Sequence, residues 1–226
     1  MNARKEGLPL KMLFSDQHPQ VRRWLGPFIL ACSIYFLLWI PKEQPSWVSA
    51  LVKSLPLLSL VVFLGAVASG GAYTWLLQGA LVCSAMGDAC LIWPQAFLHG
   101  MAAFAAAHFL YFCAFGLSPL RPGLLLLIVP VSVAYYSLLL LHLEPDMVLP
   151  VGAYTLILSA MLWRSLAQGG SASWGALLFT FSDGILAWDT FVQSLPYARL
   201  VIMTTYYTAQ LLLTLSALWS PGLKTQ

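Results

Sequence analysis

Residues 47–68 read WVSALVKSLPLLSLVVFLGAVA, a run in which Lys53 is the only charged side chain. A helix of about 20 apolar residues is long enough to cross the hydrocarbon core of a bilayer. Similar blocks fill the chain, because 60% of its 226 residues are hydrophobic and only 8% are charged. Soluble domains carry about 25% charged residues, so this composition excludes an ordinary soluble globular protein.

Eight such blocks predict an all-α, polytopic membrane bundle of eight transmembrane helices. The connections between the blocks are short and contain Pro or Gly, as at Pro41, Pro94 and Gly169-Gly170. Such breakers end helices, and short connections make consecutive helices antiparallel. The predicted helices cover residues 24–40, 47–68, 73–93, 96–116, 122–142, 147–165, 172–191 and 195–218.

The Lys and Arg residues predict which side of the membrane each end faces, since cytoplasmic segments are rich in them. We expect a transmembrane domain at 24–218 with cytoplasmic tails at 1–23 and 219–226. Only Lys42 and Arg199 then lie on the outer side. The net charge of +3 is small and scattered, which argues against a nucleic-acid partner. The cytoplasmic side holds Arg4, Lys5, Lys11, Arg22, Arg23, Arg121, Arg164 and Lys224.

Two stretches resemble each other, GDACLIW at 87–93 and SDGILAW at 182–188. Both follow the pattern small-Asp-x-x-Leu-x-Trp. They fall in the third and seventh predicted helices, which cross the membrane in the same direction. The match favours a parallel four-plus-four duplication with one aspartate in each half, and a chance match of so few positions is the alternative.

Three charged side chains stand out within the predicted helices, namely Lys53, Asp88 and Asp183. An ionised group inside a membrane is costly, so each of them is a candidate functional residue. With a rise of about 1.5 Å per residue, they lie roughly 9, 8 and 12 Å below the outer ends of their helices. One basic and two acidic groups at one level predict a shared polar pocket in the outer half of the membrane.

A structural role is the alternative for this group. Lys53 could pair with Asp88 to hold the second and third helices together, or extend its ammonium to the interface. Two acids for one base, however, leave a surplus carboxyl in a low-dielectric environment, which favours the neutral form. A carboxyl that keeps its proton near neutral pH is suited to general acid catalysis. Asp88 and Asp183 are therefore predicted as the catalytic pair.

Further polar groups in the predicted helices are candidates for contact with a substrate, with hydrogen-bonded packing as the alternative. The chain has no Gly-x-Ser-x-Gly elbow, no His-Glu-x-x-His zinc helix and no Gly-rich phosphate loop. No metal site is predicted. Carboxylate acid–base chemistry on a lipid, ion-coupled transport and a lipid-sensing scaffold remain. The candidate binding residues are Lys53, His108, Tyr111, Tyr154, Tyr206, Tyr207 and Gln210.

The order of these residues resembles the YhhN-like membrane proteins, a family that includes the animal lysoplasmalogenases. The resemblance covers essentially the whole chain. Each mark is weak alone, whereas their order across eight helices is specific. The marks are Lys53-Ser-Leu-Pro56, Gly87-Asp88, the series Gly100, Phe104, His108 and Tyr111, Pro150-Val-Gly-Ala-Tyr154 with Met161, Ser182-Asp183, and Tyr206-Tyr207-Thr-Ala-Gln210.

The resemblance implies hydrolysis of the vinyl ether bond of lysoplasmenylcholine and lysoplasmenylethanolamine. The products are a fatty aldehyde and glycerophosphocholine or glycerophosphoethanolamine. It also implies a multi-pass protein of the endoplasmic reticulum membrane that takes a lysophospholipid from the bilayer and uses no cofactor. A proton- or cation-coupled transporter that uses the intramembrane aspartates is the alternative function. The sequence does not indicate an oligomeric state, or which aspartate is the acid.

Overall fold

The computed structural model describes residues 19–41, 45–68 and 70–219, and within these ranges it contains eight α-helices and no strand. Two short 3-10 turns, Pro94–Ala96 and Pro122–Leu124, precede the fourth and fifth helices. The helices are α1 (Pro19–Leu38), α2 (Trp47–Val67), α3 (Ala72–Cys90), α4 (Phe97–Phe115), α5 (Leu125–Leu140), α6 (Pro145–Gln168), α7 (Gly170–Phe191) and α8 (Ala198–Trp219).

The predicted all-α class is confirmed, and each helix overlaps one predicted block. Among the described residues, α1, α2, α4, α5, α6 and α8 are long and apolar enough to cross a membrane. The chain is therefore a multi-pass membrane protein. The helices α3 and α7 fall outside that set. Polar residues lower their hydropathy: α3 carries Gln78, Ser84 and Asp88, and α7 carries three serines and two aspartates. Their crossing of the membrane, and hence the full count of eight spans, stays a prediction.

Some of the predicted boundaries differ from the observed ones. The first helix already begins at Pro19, inside the predicted amino-terminal tail, and α6 extends to Gln168. Most of both predicted tails, and Lys42 in the predicted outer loop, lie outside the described residues.

The helix ends follow from local sequence chemistry. Ser46 caps α2, where its hydroxyl accepts a hydrogen bond from the Ser49 N–H at 3.1 Å. Gly71 at the start of α3 has φ of 103°, a conformation that side chains with a Cβ rarely adopt. Gly169 and Gly170 have φ of 83° and 66°, which lets α7 begin directly after α6 ends. The breakers seen in the sequence thus act where they were expected.

Six helices form an inner ring around the candidate site. α3 packs along α4, and α7 packs along α8; these are the two most extensive helix pairs. Contacts of α8 with α2 and α3, and of α4 with α6, close the ring. α1 packs on α2, and α5 packs on α6, both at the periphery. This arrangement places α3 and α7, which carry the two aspartates, in the inner ring.

A buried arginine fixes the end of α4. Arg164 of α6 is fully buried, and its guanidinium donates hydrogen bonds to the carbonyl oxygens of Gly116, Pro119 and Leu120. A cation at these orphan carbonyls stabilises a helix carboxyl end. Arg164 therefore joins the carboxyl ends of α4 and α6, at the side of the bundle where α1 begins and α8 ends.

Glycines allow the inner helices to approach closely. A Cβ on Gly175 of α7 would lie 2.9 Å from the backbone nitrogen of Leu213 and 3.0 Å from the carbonyl oxygen of Ala209 in α8. Backbone atoms cannot turn away as a flexible side chain can. At Gly184, on the same helix, a Cβ would meet nothing within 4 Å.

We expect Gly175→Ala to lower the free energy of unfolding by about 1–3 kcal/mol, because it overpacks the α7–α8 contact. Gly184→Ala is the matched control and should be neutral or stabilising by up to about 1 kcal/mol, since Ala is the better helix former. Thermal unfolding of both variants in detergent measures the difference. Equal stability of the two variants would contradict the close approach of α7 and α8.

Candidate active site

The first of the two aspartates, Asp88 near the end of α3, is held by two other helices. The Lys53 ammonium of α2 lies 3.3 Å from Asp88 Oδ1, and the Tyr206 hydroxyl of α8 donates to Oδ2 at 2.8 Å. Only 2% of the Asp88 side chain and 14% of the Lys53 side chain are exposed. Tyr207 donates its hydroxyl to the Lys53 carbonyl at 2.8 Å, which ties α8 to α2 beside the pair.

The second aspartate, Asp183 of α7, is bound by a tyrosine and a histidine. The Tyr154 hydroxyl of α6 donates to Asp183 Oδ2 at 2.5 Å. His108 Nε2 of α4 lies 2.9 Å from the Tyr154 hydroxyl and 3.3 Å from Oδ2. Because the single hydroxyl proton of Tyr154 goes to Asp183, the hydrogen bond between His108 and Tyr154 needs the proton on Nε2. His108 Nδ1 has no hydrogen-bond partner among the described residues.

The two groups are built alike. We call α1–α4 the first half of the chain and α5–α8 the second half. Asp88 of α3 contacts Lys53 in the preceding helix, α2, and Tyr206 in the last helix of the second half, α8. Asp183 of α7 likewise contacts Tyr154 in the preceding helix, α6, and His108 in the last helix of the first half, α4. The charge differs, since only the first group contains a lysine.

A cavity of about 300 Å³, here called the polar cavity, has Lys53, Asp88 and Asp183 in its wall. Lys53, Asp88 and Asp183 therefore share a pocket, as their predicted depths indicate. Pro41 and Pro94 also line this cavity, so it reaches the end of the bundle at which α1 and α3 finish.

A second cavity of about 370 Å³, here called the apolar cavity, is bounded by α4, α5, α6 and α7. Most of its wall is aliphatic or aromatic. It shares wall residues with the polar cavity, and Asp183 is the only charged residue among them. The Asp183 carboxyl, whose side chain is 12% exposed, therefore sits where the cavity that holds Lys53 and Asp88 meets a cavity without other charged residues. The shared residues are Leu91, Phe97, Phe104, Asp183, Leu186 and Thr190.

The remaining predicted site residues lie beneath the cavities. The Phe179 ring separates the two aspartate groups, because its centroid is 4.7 Å from that of His108 and 5.3 Å from that of Tyr206. Deeper in the bundle, the Tyr111 hydroxyl donates to Gln210 Oε1 at 2.6 Å, and both residues are buried. Of the four tyrosines predicted as site residues, Tyr154 and Tyr206 line the cavities.

Within the described part of the chain, no group of three or more His, Cys, Asp and Glu side chains is arranged to hold a metal ion. The two aspartate groups together offer two carboxyls, one ammonium, one imidazole and two phenols beside a cavity that reaches one end of the bundle. Such groups can deliver, accept and relay protons.

Sequence reasoning missed Arg199, which lines the polar cavity. From the sequence, Arg199 was predicted only to carry a positive charge on the outer side of the membrane. A usable signal was its position seven residues before Tyr206, since two helical turns return to nearly the same face.

Comparison with known proteins places these residues in a family. Residues 48–217 match the YhhN family. Lysoplasmalogenase TMEM86B of Mus musculus is 75% identical over 225 residues, and that of Homo sapiens is 69% identical over 225 residues; each alignment covers 100% of both chains. Lysoplasmalogenase TMEM86A of Bos taurus is 44% identical over 216 residues, covering 87% of this chain and 89% of its own. No solved structure matches. Since the family match runs from α2 into α8 and covers well over half of the residues, the chain belongs to the YhhN family.

Proposed function

We propose that this chain is a lysoplasmalogenase. It hydrolyses the vinyl ether bond of lysoplasmenylcholine and lysoplasmenylethanolamine to a fatty aldehyde and glycerophosphocholine or glycerophosphoethanolamine. The observation that carries the proposal is the position of Asp183, whose carboxyl lies at the junction of the polar and apolar cavities and shares the first with Asp88. The names of relatives that are 65–75% identical support it.

The two cavities match the two ends of a lysoplasmalogen. The alkenyl chain enters the apolar cavity, and the glycerophospho head group occupies the polar cavity. The vinyl ether, which joins the two ends, then lies beside Asp183. The substrate comes from the bilayer, since the chain is embedded in it.

In the first step, Asp183 donates its proton to the β-carbon of the vinyl ether and leaves an oxocarbenium ion. Three observations favour Asp183 for this role. It borders both cavities, Lys53 lies against Asp88 instead, and Oδ2 alone takes the bonds from Tyr154 and His108. Oδ1 can therefore carry the proton that is transferred.

In the second step, Asp88 accepts a proton from the water that attacks the oxocarbenium carbon, and a hemiacetal forms. Lys53 keeps Asp88 ionised at the start of the cycle by its charge at 3.3 Å. The hemiacetal then collapses. The Asp183 carboxylate accepts the proton of the hemiacetal hydroxyl, and Asp88 gives its proton to the departing glyceryl oxygen. Both carboxyls return to their starting forms, and one water is consumed. The division between a donor and an acceptor carboxyl parallels glycoside hydrolysis.

The other predicted residues hold these groups in place. Tyr206 orients Asp88, while His108 and Tyr154 orient Asp183 and can relay its proton. Tyr207 supports the Lys53 backbone, and the buried pair of Tyr111 and Gln210 supports the helices beneath.

We further place the protein in the endoplasmic reticulum membrane, with one transmembrane domain of eight helices at 24–218 and both tails cytoplasmic. The charges of Arg22, Arg23 and Arg121 at one end of the bundle support this orientation. The matching partner pattern of the two aspartates supports the four-plus-four duplication. Protease protection of a carboxy-terminal tag in intact microsomes tests the orientation, and protection of the tag would overturn it.

The test of the function is aldehyde release by the purified protein from lysoplasmenylcholine, with an ester lysophospholipid as the control substrate. We expect hydrolysis of the vinyl ether alone. In D₂O the aldehyde, trapped at once as an oxime, should carry one deuterium on the carbon next to the carbonyl, because protonation occurs there. Absence of turnover by folded protein would refute the function, whereas turnover without deuterium would refute only the mechanism.

The transporter alternative is not favoured, because relatives that are 65–75% identical are named lysoplasmalogenases. Vinyl ether turnover by the purified protein in detergent, where no compartments exist, would separate the two functions directly.

A further inference from the structure

Arg199 is fixed at the outlet of the polar cavity by residues of α1 and of the segment that follows it. Its Nε donates to the Tyr35 hydroxyl at 3.1 Å, and Nη1 donates to the Ile40 carbonyl at 2.7 Å. Its guanidinium carbon also lies 4.4 Å from the ring centroid of Trp39. These contacts set the position of the guanidinium in the cavity wall.

Within the described part of the chain, no carboxylate oxygen lies within 4.0 Å of the Arg199 guanidinium nitrogens. Lys53, in contrast, is paired with Asp88. A guanidinium has five N–H donors in a planar fork, and the two bonds to Tyr35 and Ile40 leave others for a ligand. Asp189 lines the same cavity, where its Oδ1 accepts a hydrogen bond from the Leu195 N–H at 2.9 Å. The outlet thus offers a fixed cation with spare donors.

The spacing of this cation from Asp88 fits a glycerophospholipid whose vinyl ether lies between the two aspartates. Arg199 and Tyr206 lie two turns apart on one face of α8, about 10 Å along its axis, and Tyr206 binds Asp88. In a lysoplasmalogen, seven bonds separate the β-carbon of the vinyl ether from phosphorus. An extended chain advances about 1.2 Å per bond, as a protein backbone does, so the substrate spans roughly 8 Å.

We propose that Arg199 binds the phosphate of the substrate and makes the enzyme select a lysophospholipid over a neutral 1-alkenylglycerol. The proposal rests on the proposed hydrolase function. Arginine suits this task because its fork forms paired, charge-assisted hydrogen bonds to phosphate oxygens. Arg199 is a positioning residue, since it sets where the vinyl ether lies and does not touch the reacting atoms.

The kinetic test compares lysoplasmenylcholine with 1-alkenylglycerol of the same chain. Loss of hydrogen bonds to a charged group should raise KM for lysoplasmenylcholine about tenfold to a hundredfold in Arg199→Ala, with little change in kcat. KM for 1-alkenylglycerol should stay as in the wild type. Arg199→Gln is the second variant, because its amide can still donate to the Ile40 carbonyl and preserve the fold. Arg22→Ala, an exposed arginine at the other end of the bundle, is the matched control.

A binding measurement keeps the proposal testable apart from hydrolysis. The probes are the hydrolysis-resistant 1-O-alkyl lysophosphocholine and 1-O-alkylglycerol, titrated into the purified full-length protein and followed by tryptophan fluorescence. We expect wild type to prefer the phosphocholine ether, and Arg199→Gln to lose that preference. An equal loss of affinity for both ligands, or an unchanged preference, would overturn the phosphate role. A wild type that binds with this preference but hydrolyses neither vinyl ether would refute the function and leave the phosphate site standing.

Discussion

Asp183→Asn is expected to lower kcat for lysoplasmenylcholine by about 10²–10⁴-fold, the usual contribution of a general acid. Asparagine has nearly the same shape, and its amide oxygen can still accept the hydrogen bond from Tyr154. It cannot transfer a proton to the β-carbon, however. Binding should change little, because the two cavities keep their walls. Steady-state kinetics of aldehyde release measure the effect, and thermal unfolding checks that the variant is folded.

The control for this variant is Asp146→Asn, which makes the same chemical change at an exposed position in the first turn of α6. Its activity should equal that of the wild type. A loss of less than tenfold in folded Asp183→Asn would remove Asp183 from the proton transfer. The role of donor would then pass to Asp88, the other aspartate of the predicted catalytic pair.

The second large effect concerns the ion pair of Lys53 and Asp88. Replacing both residues should restore stability without restoring activity. Lys53→Met leaves a buried carboxylate without its counterion, which costs about 3–5 kcal/mol in the free energy of unfolding. Neutralising both partners in Lys53→Met/Asp88→Asn should restore most of that stability, since no lone charge remains. The double variant should nevertheless stay inactive, because the acceptor for the water proton is gone. Unfolding in mixed micelles and aldehyde release measure the two properties on the same preparations.

Two results would contradict this account of the pair. Additive losses of stability in the double variant would mean that Lys53 and Asp88 do not interact energetically. A double variant with wild-type activity would assign the pair to folding alone, which is the structural alternative that the sequence leaves open.

Much of the fold follows from the sequence because composition and length act locally. An apolar run such as 47–68 forms a helix in the bilayer, because its backbone groups find hydrogen-bond partners only within the segment. The glycines at 169 and 170 end one helix and begin the next. The common depth of Lys53, Asp88 and Asp183 also follows, since the rise per residue is constant. For this reason their shared cavity could be predicted before any contact was known.

What could not be predicted depends on how the helices are rotated and which of them are neighbours. The hydrogen bond from Tyr207 to the Lys53 carbonyl joins α2 to α8, which are far apart in the chain. The division of the site by Phe179, and the junction of two cavities at Asp183, result from packing among several helices. Arg199 was missed for a similar reason, because its contacts with Tyr35 and Ile40 appear only when α1 and α8 meet.

The crossed partners of the two aspartates have a consequence for biogenesis. Asp88 accepts a hydrogen bond from Tyr206 of α8, and Asp183 lies against His108 of α4. Neither α1–α4 nor α5–α8 therefore contains both partners of its own aspartate. With the two aspartates as the proposed catalytic pair, we expect activity to begin only after α8 has docked, so that a chain still being inserted into the membrane is inactive.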